Sequence, residues 1–293
     1  MAIAADRVRL VFKRTKLDLS NLAASVTPES VHRFRTTTRR LQTLLEELAP
    51  ERNRNQKKLL KLLDGIRKRA GKVRNVDAQL SALRSLKIPQ EPRRKTQLMQ
   101  ALLELRAKHE RRLRKALKNE IVPEIDRRLK KAAKEATFQN DRDPLAVARK
   151  LLTLAVKPIE TSVGIRKATT KKVTKFATKA EAATEATLHD RRIVIKRARY
   201  VAEFAPKSAE ATELIAQLQA LQDTIGNWHD WQALTSSAAK HFGGVGHSSL
   251  VAALHSVAAG KLRGASAALA ASSAKRMPEA KMPTLVIPAD SAA

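Results

Sequence analysis

The stretch His189-Asp190-Arg191-Arg192-Ile193-Val194-Ile195-Lys196-Arg197-Ala198-Arg199-Tyr200-Val201 decides the fold. At about 100° per residue on a helix, His189, Arg192, Lys196 and Arg199 fall along one narrow stripe. Ile193, Val194, Ile195, Ala198, Tyr200, Val201 and Phe204 cover almost all the remaining circumference. A helix that is apolar on nearly every side belongs in an interior. A basic stripe on such a helix cannot be an ordinary solvated face. It must line a groove or channel, or pair with acids.

The same arrangement occurs earlier in the chain. Counting from His32, Arg35, Arg39 and Gln42 lie with it inside about 80° of arc. Phe34, Leu41, Leu44, Leu45 and Leu48 take the opposite face. Thr27-Pro28-Glu29 opens this helix, with Thr27 as the N-cap and Pro28 at the first helical position. The offset of 189 − 32 = 157 residues pairs Arg39 with Lys196 and Arg40 with Arg197. A second block follows in both halves. Gly71-Lys72-Val73-Arg74-Asn75 matches Gly226-Asn227-Trp228-His229-Asp230 at an offset of 226 − 71 = 155. Two matches, in order and nearly in register, predict an internal duplication. The period is too long for a solenoid, so two like halves should pack as a pseudo-symmetric pair, joined near Gln139–Pro144.

The remaining chain is also helical in pattern. Leu59, Leu63, Ile66, Ala70 and Val73 step by helical intervals along one face. Asp143-Pro144 opens a later helix as Thr27-Pro28 opens the earlier one. Breaks are expected near Ser25–Pro28, Pro50, Lys87–Pro92, Gln139–Pro144, Pro206 and Gly243–Gly246. With 9 glycines and few alternating β-branched runs, no sheet is expected. From about Ala271 the chain holds Pro278, Pro283 and Pro288 among small and polar residues and reads as a flexible tail. No apolar run approaches the roughly 18 residues a membrane-spanning helix needs. The first residues lack a signal-peptide core, so a cytoplasmic protein is expected.

Charge narrows the partner. The chain carries 58 Lys and Arg against 28 Asp and Glu, a formal net charge of +30. Such an excess opposes compaction, and a bound anion relieves it. Nucleic acid, an inorganic polyanion or an acidic membrane surface could supply that anion. The segments 35–45 and 191–201 contain no acid at all, so the counter-charge is expected from a ligand. Arginine forks suit phosphate oxygens, lysine adds a point charge and histidine can donate to an oxyanion. The competing reading is a stripe that is solvated or neutralised by carboxylates distant in sequence. Its occurring twice favours the ligand.

His32-x-x-Arg35-x-x-x-Arg39-Arg40 and His189-x-x-Arg192-x-x-x-Lys196-Arg197-x-Arg199-Tyr200 resemble the two signature helices of the CHAD family, the conserved histidine α-helical domain. Gly71-x-x-Arg74-Asn75 and Leu221-Gln222-Asp223-x-x-Gly226-x-x-His229-Asp230 resemble its next motif in each half. The resemblance covers roughly residues 5–270. It implies an all-α bundle of two pseudo-symmetric repeats around a basic central cavity. It also implies binding of inorganic polyphosphate and association with polyphosphate granules. On that basis residues 1–270 form one domain, with repeat one over about 1–140, repeat two over about 141–270, and 271–293 as the tail. The expected binding residues are His32, Arg35, Arg39, Arg40, Arg74, His189, Arg192, Lys196, Arg197, Arg199 and His229. Asn75 stands where the family usually has Asp and Gln42 where it often has Arg. Lys57, Lys61, Arg67 and Lys68 could compensate, or Lys57, Lys61 and Lys68 could form a solvated face.

No cofactor or metal is expected. Cysteine is absent, and the His229-Asp230 pair has no second carboxylate cluster beside it. Turnover is not expected either, because no nucleophile or glycine-rich phosphate loop stands out. Three rivals remain. One is a non-specific nucleic-acid binder, although 3% aromatic residues offer few stacking platforms. Another is a polyphosphate-processing enzyme with His189 or His229 as its acid. The third is a scaffold that tethers proteins to a polyanion. Trp228 and Trp231 read as packing residues, and the dense basic run Arg166–Lys179 reads as a solvated helix face.

Overall fold

A computed structural model describes residues 3–49, 51–87, 91–118, 120–136, 138, 142–156 and 179–274, with side chains of the last segment from residue 187. The basic run before Lys179, the tail beyond Ala274 and positions 139–141 of the expected join lie outside them. The described residues are helical, with no strand among them. In order they form α1 (Ala5–Ala24), α2 (Pro28–Thr43), α3 (Arg54–Ser85), α4 (Pro92–Leu117) and α5 (Ile121–Glu135). There follow α6 (Pro144–Val156), α7 (Lys179–Ala202), α8 (Ala209–Phe242) and α9 (Ser249–Ala274). None of these helices is long and apolar enough to cross a membrane.

The caps at Thr27 and Asp143 form where the sequence placed them, and a third, at Asn53, was not expected. Thr27 accepts from the Ser30 backbone N–H at 3.1 Å, and Ser30 Oγ accepts from the Thr27 N–H at 3.0 Å. Two N–H groups that the helix itself leaves without partners are thereby satisfied. Asn53 and Gln56 make the same reciprocal pair at the start of α3, at 2.9 and 3.2 Å. Asp143 Oδ1 accepts from the Leu145 N–H at 3.0 Å, just ahead of α6. The break between α4 and α5 escaped sequence reading, because Lys118-Asn119-Glu120 contains neither glycine nor proline.

Burial follows the helical period on α2 and α3, whereas Ile193 of α7, expected on a buried helix, is 45% exposed. Phe34, Leu41, Leu44, Leu45 and Leu48 are fully enclosed, as are Leu59, Leu63, Ile66, Ala70 and Val73 on α3. Leu44–Leu48 continue α2 as one π-helical turn. That turn keeps three leucines in the core while Glu46 and Glu47 point outward. The main apolar core draws on all nine described helices, α4 through Leu113 and Leu117 and α9 through Ala265 and Leu269. A smaller one joins the far ends of α3 and α4 to α8 and α9 through Leu83, Leu98, Leu234 and Leu254. Lys57, Lys61 and Lys68 are exposed, and Lys68 Nζ lies 2.9 Å from Asp64. The solvated reading of that face is therefore the one observed. Two packings matter most for the site. The stripe-bearing helices α2 and α7 pack on each other, and the glycine-bearing helices α3 and α8 do likewise.

Removal of the α2 cap tests whether the entry into this helix is anchored by local chemistry. Thr27→Ala should lower unfolding stability by about 1 kcal/mol in urea titration followed by circular dichroism. Lys57→Ala, on the solvated face, should change it by less than about 0.5 kcal/mol.

Candidate anion-binding site

Between α2, α3, α7 and α8 lies a cavity of ≈ 890 Å³. Arg14, Leu17 and Asp18 of α1 also border it. Nine of the expected residues face it: His32, Arg35, Arg39 and Arg40 from α2, Arg74 from α3, and His189, Arg192, Lys196 and Arg199 from α7. They converge because each stripe occupies one side of its helix and the two helices present those sides to a common space. The helices are fixed by apolar burial on their other sides.

Two expected residues do not line the cavity. Arg197 follows Lys196, so its side chain is turned about 100° away. It reaches Glu46, at 3.3 Å, and Glu47 on the π-helical turn. His229 stacks on His189, with ring centroids 5.5 Å apart and planes 30° from parallel. Its Nδ1 lies 3.4 Å from Asp230 Oδ1. It therefore braces His189 and Asp230 from behind.

The expectation that the stripes lack protein counter-charge needs correction at one edge. Arg40 forms a two-pronged pair with Glu203, Nε to Oε2 at 2.6 Å and Nη2 to Oε1 at 3.1 Å. Arg199 Nη1 stands 3.2 Å from the same carboxylate. Glu203 is just beyond the acid-free segment and close enough, one turn on, to meet Arg199 on its own helix. Arg199 also donates to Gln219 at 2.6 Å. The Tyr200 ring completes this edge, with the Arg199 and Arg40 guanidinium carbons 4.7 and 5.6 Å from its centroid.

The centre of the cavity is different. Among the described residues no carboxylate lies within ion-pair distance of Arg35, Arg39, Arg74, Arg192 or Lys196. Arg35 donates to the Arg67 carbonyl at 2.9 Å, a neutral acceptor. The Nε of Arg192 is buried without a hydrogen-bond partner. Burial, reinforced by Arg39, Arg67 and Arg192, pulls the Arg35 guanidinium down to about 10. Burial, then the charges of Arg192 and Arg39, pulls the Lys196 ammonium down from 10.5 to about 7. His32 is lowered by burial, then by Arg74 and Arg35; His189 by burial, then by His229 and Arg192. Three carboxylates border the cavity, Asp18, Asp223 and Asp230, and of these Asp230 acts on Arg192 and Lys196. Burial pushes the Asp230 carboxyl up, but the His229 hydrogen bond and the charges of Arg192 and Arg74 outweigh that and hold it low. Asp18 accepts from Thr37 and Asp223 from Gln219, so neither is spent on these five cations.

Close approach explains one of the two glycines, Gly71. A Cβ at Gly71 would collide with the Arg35 guanidinium, whose Cζ would stand only 3.3 Å away. At Gly226 a Cβ would stand 3.9 Å from Arg192 Nε, an ordinary van der Waals contact that does not require glycine. Glycine costs a helix interior about 1 kcal/mol relative to alanine, and at position 71 it gives Arg35 room to lie against α3. Asp18, which borders the cavity and accepts from Thr37 Oγ1, and Arg14 were not expected there; Gln222 and Asp223, known only as motif residues, border it too. No stripe marks them, because they reach the cavity from helices read for other features or not read at all. Among the described residues no group of three or more His, Asp or Glu is placed to hold a metal ion.

The described residues thus form an all-helical domain around a cavity lined by arginine, lysine and histidine. The CHAD domain family profile matches residues 10–239, and the chain belongs to that family. The family is associated with polyphosphate binding and is generally one of binding domains rather than catalytic ones. The fold is similar to PptA from Streptomyces chartreusis, at a TM-score of 0.64 and 14% identity, covering 92% of this chain and 99% of that one. It is also similar to the CHAD domain from the plant Ricinus communis, at a TM-score of 0.58 and 14% identity, covering 92% of each chain. No curated protein matches the chain.

The lowered Lys196 ammonium has a stability consequence with a definite sign. The folded chain binds this proton less tightly than the unfolded chain. The penalty is therefore fully present below about pH 7 and is relieved as pH rises toward 10.5. Lys196→Gln should raise the melting temperature of the free protein by about 2–4 °C near pH 6. The gain should shrink as pH is raised through the alkaline range, and thermal melts across pH measure both.

Proposed function

We propose that the chain binds inorganic polyphosphate in the cavity between α2, α3, α7 and α8 and does no chemistry on it. One observation carries the reading: Arg35, Arg39, Arg74, Arg192 and Lys196 share an ≈ 890 Å³ cavity without a carboxylate in ion-pair distance among the described residues. A linear chain of phosphates presents one negative charge after another at close spacing and can answer several cations at once. Guanidinium groups then make charge-assisted hydrogen bonds to phosphate oxygens, and release of condensed counterions adds to the affinity. Arg40 and Arg199, already held by Glu203, shape the edge and hold less free charge for the ligand. Arg197 and His229 act from outside the lining, as supports.

On this reading the two halves of the chain, about 1–140 and 141–270, form one domain. They descend from a duplicated unit, each giving one stripe helix and one glycine-bearing helix. Cytoplasmic location and attachment to polyphosphate granules belong to the same proposal. Nucleic acid is the weaker partner. A duplex is too broad for a cavity of this volume, and the lining holds one aromatic ring, Tyr200, beside its histidines, which is little for stacking single-stranded bases.

The test is a competition titration of long polyphosphate against duplex DNA and single-stranded RNA at fixed salt. Polyphosphate should bind more tightly per unit charge, with an affinity that falls steeply as salt rises. Arg39→Ala should weaken binding about tenfold and flatten the salt slope by about one charge, whereas Lys57→Ala should do neither. Incubation with polyphosphate, with or without magnesium, should release no orthophosphate. Tighter binding of duplex DNA would overturn the reading.

A further inference from the structure

Lys196 differs chemically from the other cations of the cavity. It is an amine, and amines become nucleophiles once they lose a proton. It lines the cavity and is flanked on its own helix by Arg192, four residues earlier. From α2 it faces Arg35, Arg39 and His32, and from α7 also His189. Arg67 and Arg74 of α3 charge the same cluster. The acid facing it, from α8, is Asp230, beyond ion-pair distance. Like charges and burial both favour the neutral amine, and the ammonium is drawn down to about 7 accordingly. The same arginines would hold a phosphate group beside it. Exposed lysines such as Lys13, Lys57 and Lys108 lack this enclosure.

We propose that Lys196 is a modification site, a nucleophilic amine that takes the acyl group from small acyl phosphates docked among the cavity arginines. The inference rests on the reading that this cavity accepts phosphate groups. The step balances without any further reactant. The Nζ lone pair attacks the acyl carbon and an N–C bond forms. The C–O bond to phosphate breaks, and inorganic phosphate leaves with the electron pair while held by the arginines. The proton lost from Nζ goes to solvent or to the departing phosphate. The product is a neutral amide, which removes one of the central cations. Acylation would thus lower the affinity of the cavity for a polyanion, linking anion storage to the supply of activated acyl groups.

The experiment uses the full chain and acetyl phosphate, with proteolysis and mass spectrometry to time acetylation at each lysine across pH. At neutral pH Lys196 should react at least about tenfold faster than Lys13, Lys57 and Lys108. Its rate should level off above about pH 8, while theirs continue to climb toward the ordinary lysine range. Acetic anhydride, which carries no phosphate, should show a smaller preference for Lys196. A Lys196 rate no higher than that of the surface lysines would overturn the proposal. So would an equal preference with both reagents, since docking of the phosphate would then play no part. Added long polyphosphate should slow acetylation at Lys196. Fast, selective acetylation that polyphosphate fails to slow would leave the modification site standing and count against polyphosphate as the ligand.

Discussion

The structure turns on the confinement of like charge. Arg35, Arg39, Arg74, Arg192 and Lys196 are brought to one cavity whose walls hold few acids. Each cation loses part of its hydration, and each repels the others. Nothing local favours that arrangement. It persists because the helices carrying it are fixed by interactions elsewhere: the leucines of α2 and its π-helical turn, the Leu59–Val73 face of α3, and the buried side of α7 at Ile195, Ala198 and Val201. Apolar burial of this kind is worth about 25 cal/mol per Å², enough over many side chains to hold a repulsive cluster together. The cluster is thus held together at the expense of the free protein, and on the proposed function an anion would be the missing partner.

The edges of the cavity show how that repulsion is contained. Glu203 gathers Arg40 and Arg199, Tyr200 lies between their guanidinium groups, and Glu46 and Glu47 draw Arg197 outward. These pairs join α2 to α7 at their ends and leave the centre uncompensated. The division has a functional sense. Paired arginines keep the two stripe helices in register, and unpaired ones remain available to an anion. Gly71 serves the same end by letting Arg35 lie flat against α3 with its carbonyl contact to Arg67.

The sequence itself determined most of the helices and most of the faces they bury, though not the break between α4 and α5 or the exposure of Ile193. Periodicity is a local property, and Phe34, Leu41, Leu63 and Ile66 had nowhere to go but inward. Thr27-Pro28 and Asp143-Pro144 fixed helix starts because capping is a contact between neighbours in the chain. The two basic stripes were equally legible, since His32, Arg35 and Arg39 share an azimuth on any helix, as do His189, Arg192 and Lys196. Only the tertiary structure decided which of those charges would go unanswered. Glu203 and Arg40 are far apart in sequence, as are Arg197 and Glu46, so no window read along the chain could pair them. Whether His229 would line the cavity or stand behind it depended on a rotation of α8 that packing sets. Nor could the sequence foretell that Asp18 and Arg14 would reach the cavity from α1. A stripe states which way charges point along one helix, whereas the field in a cavity depends on every helix that borders it.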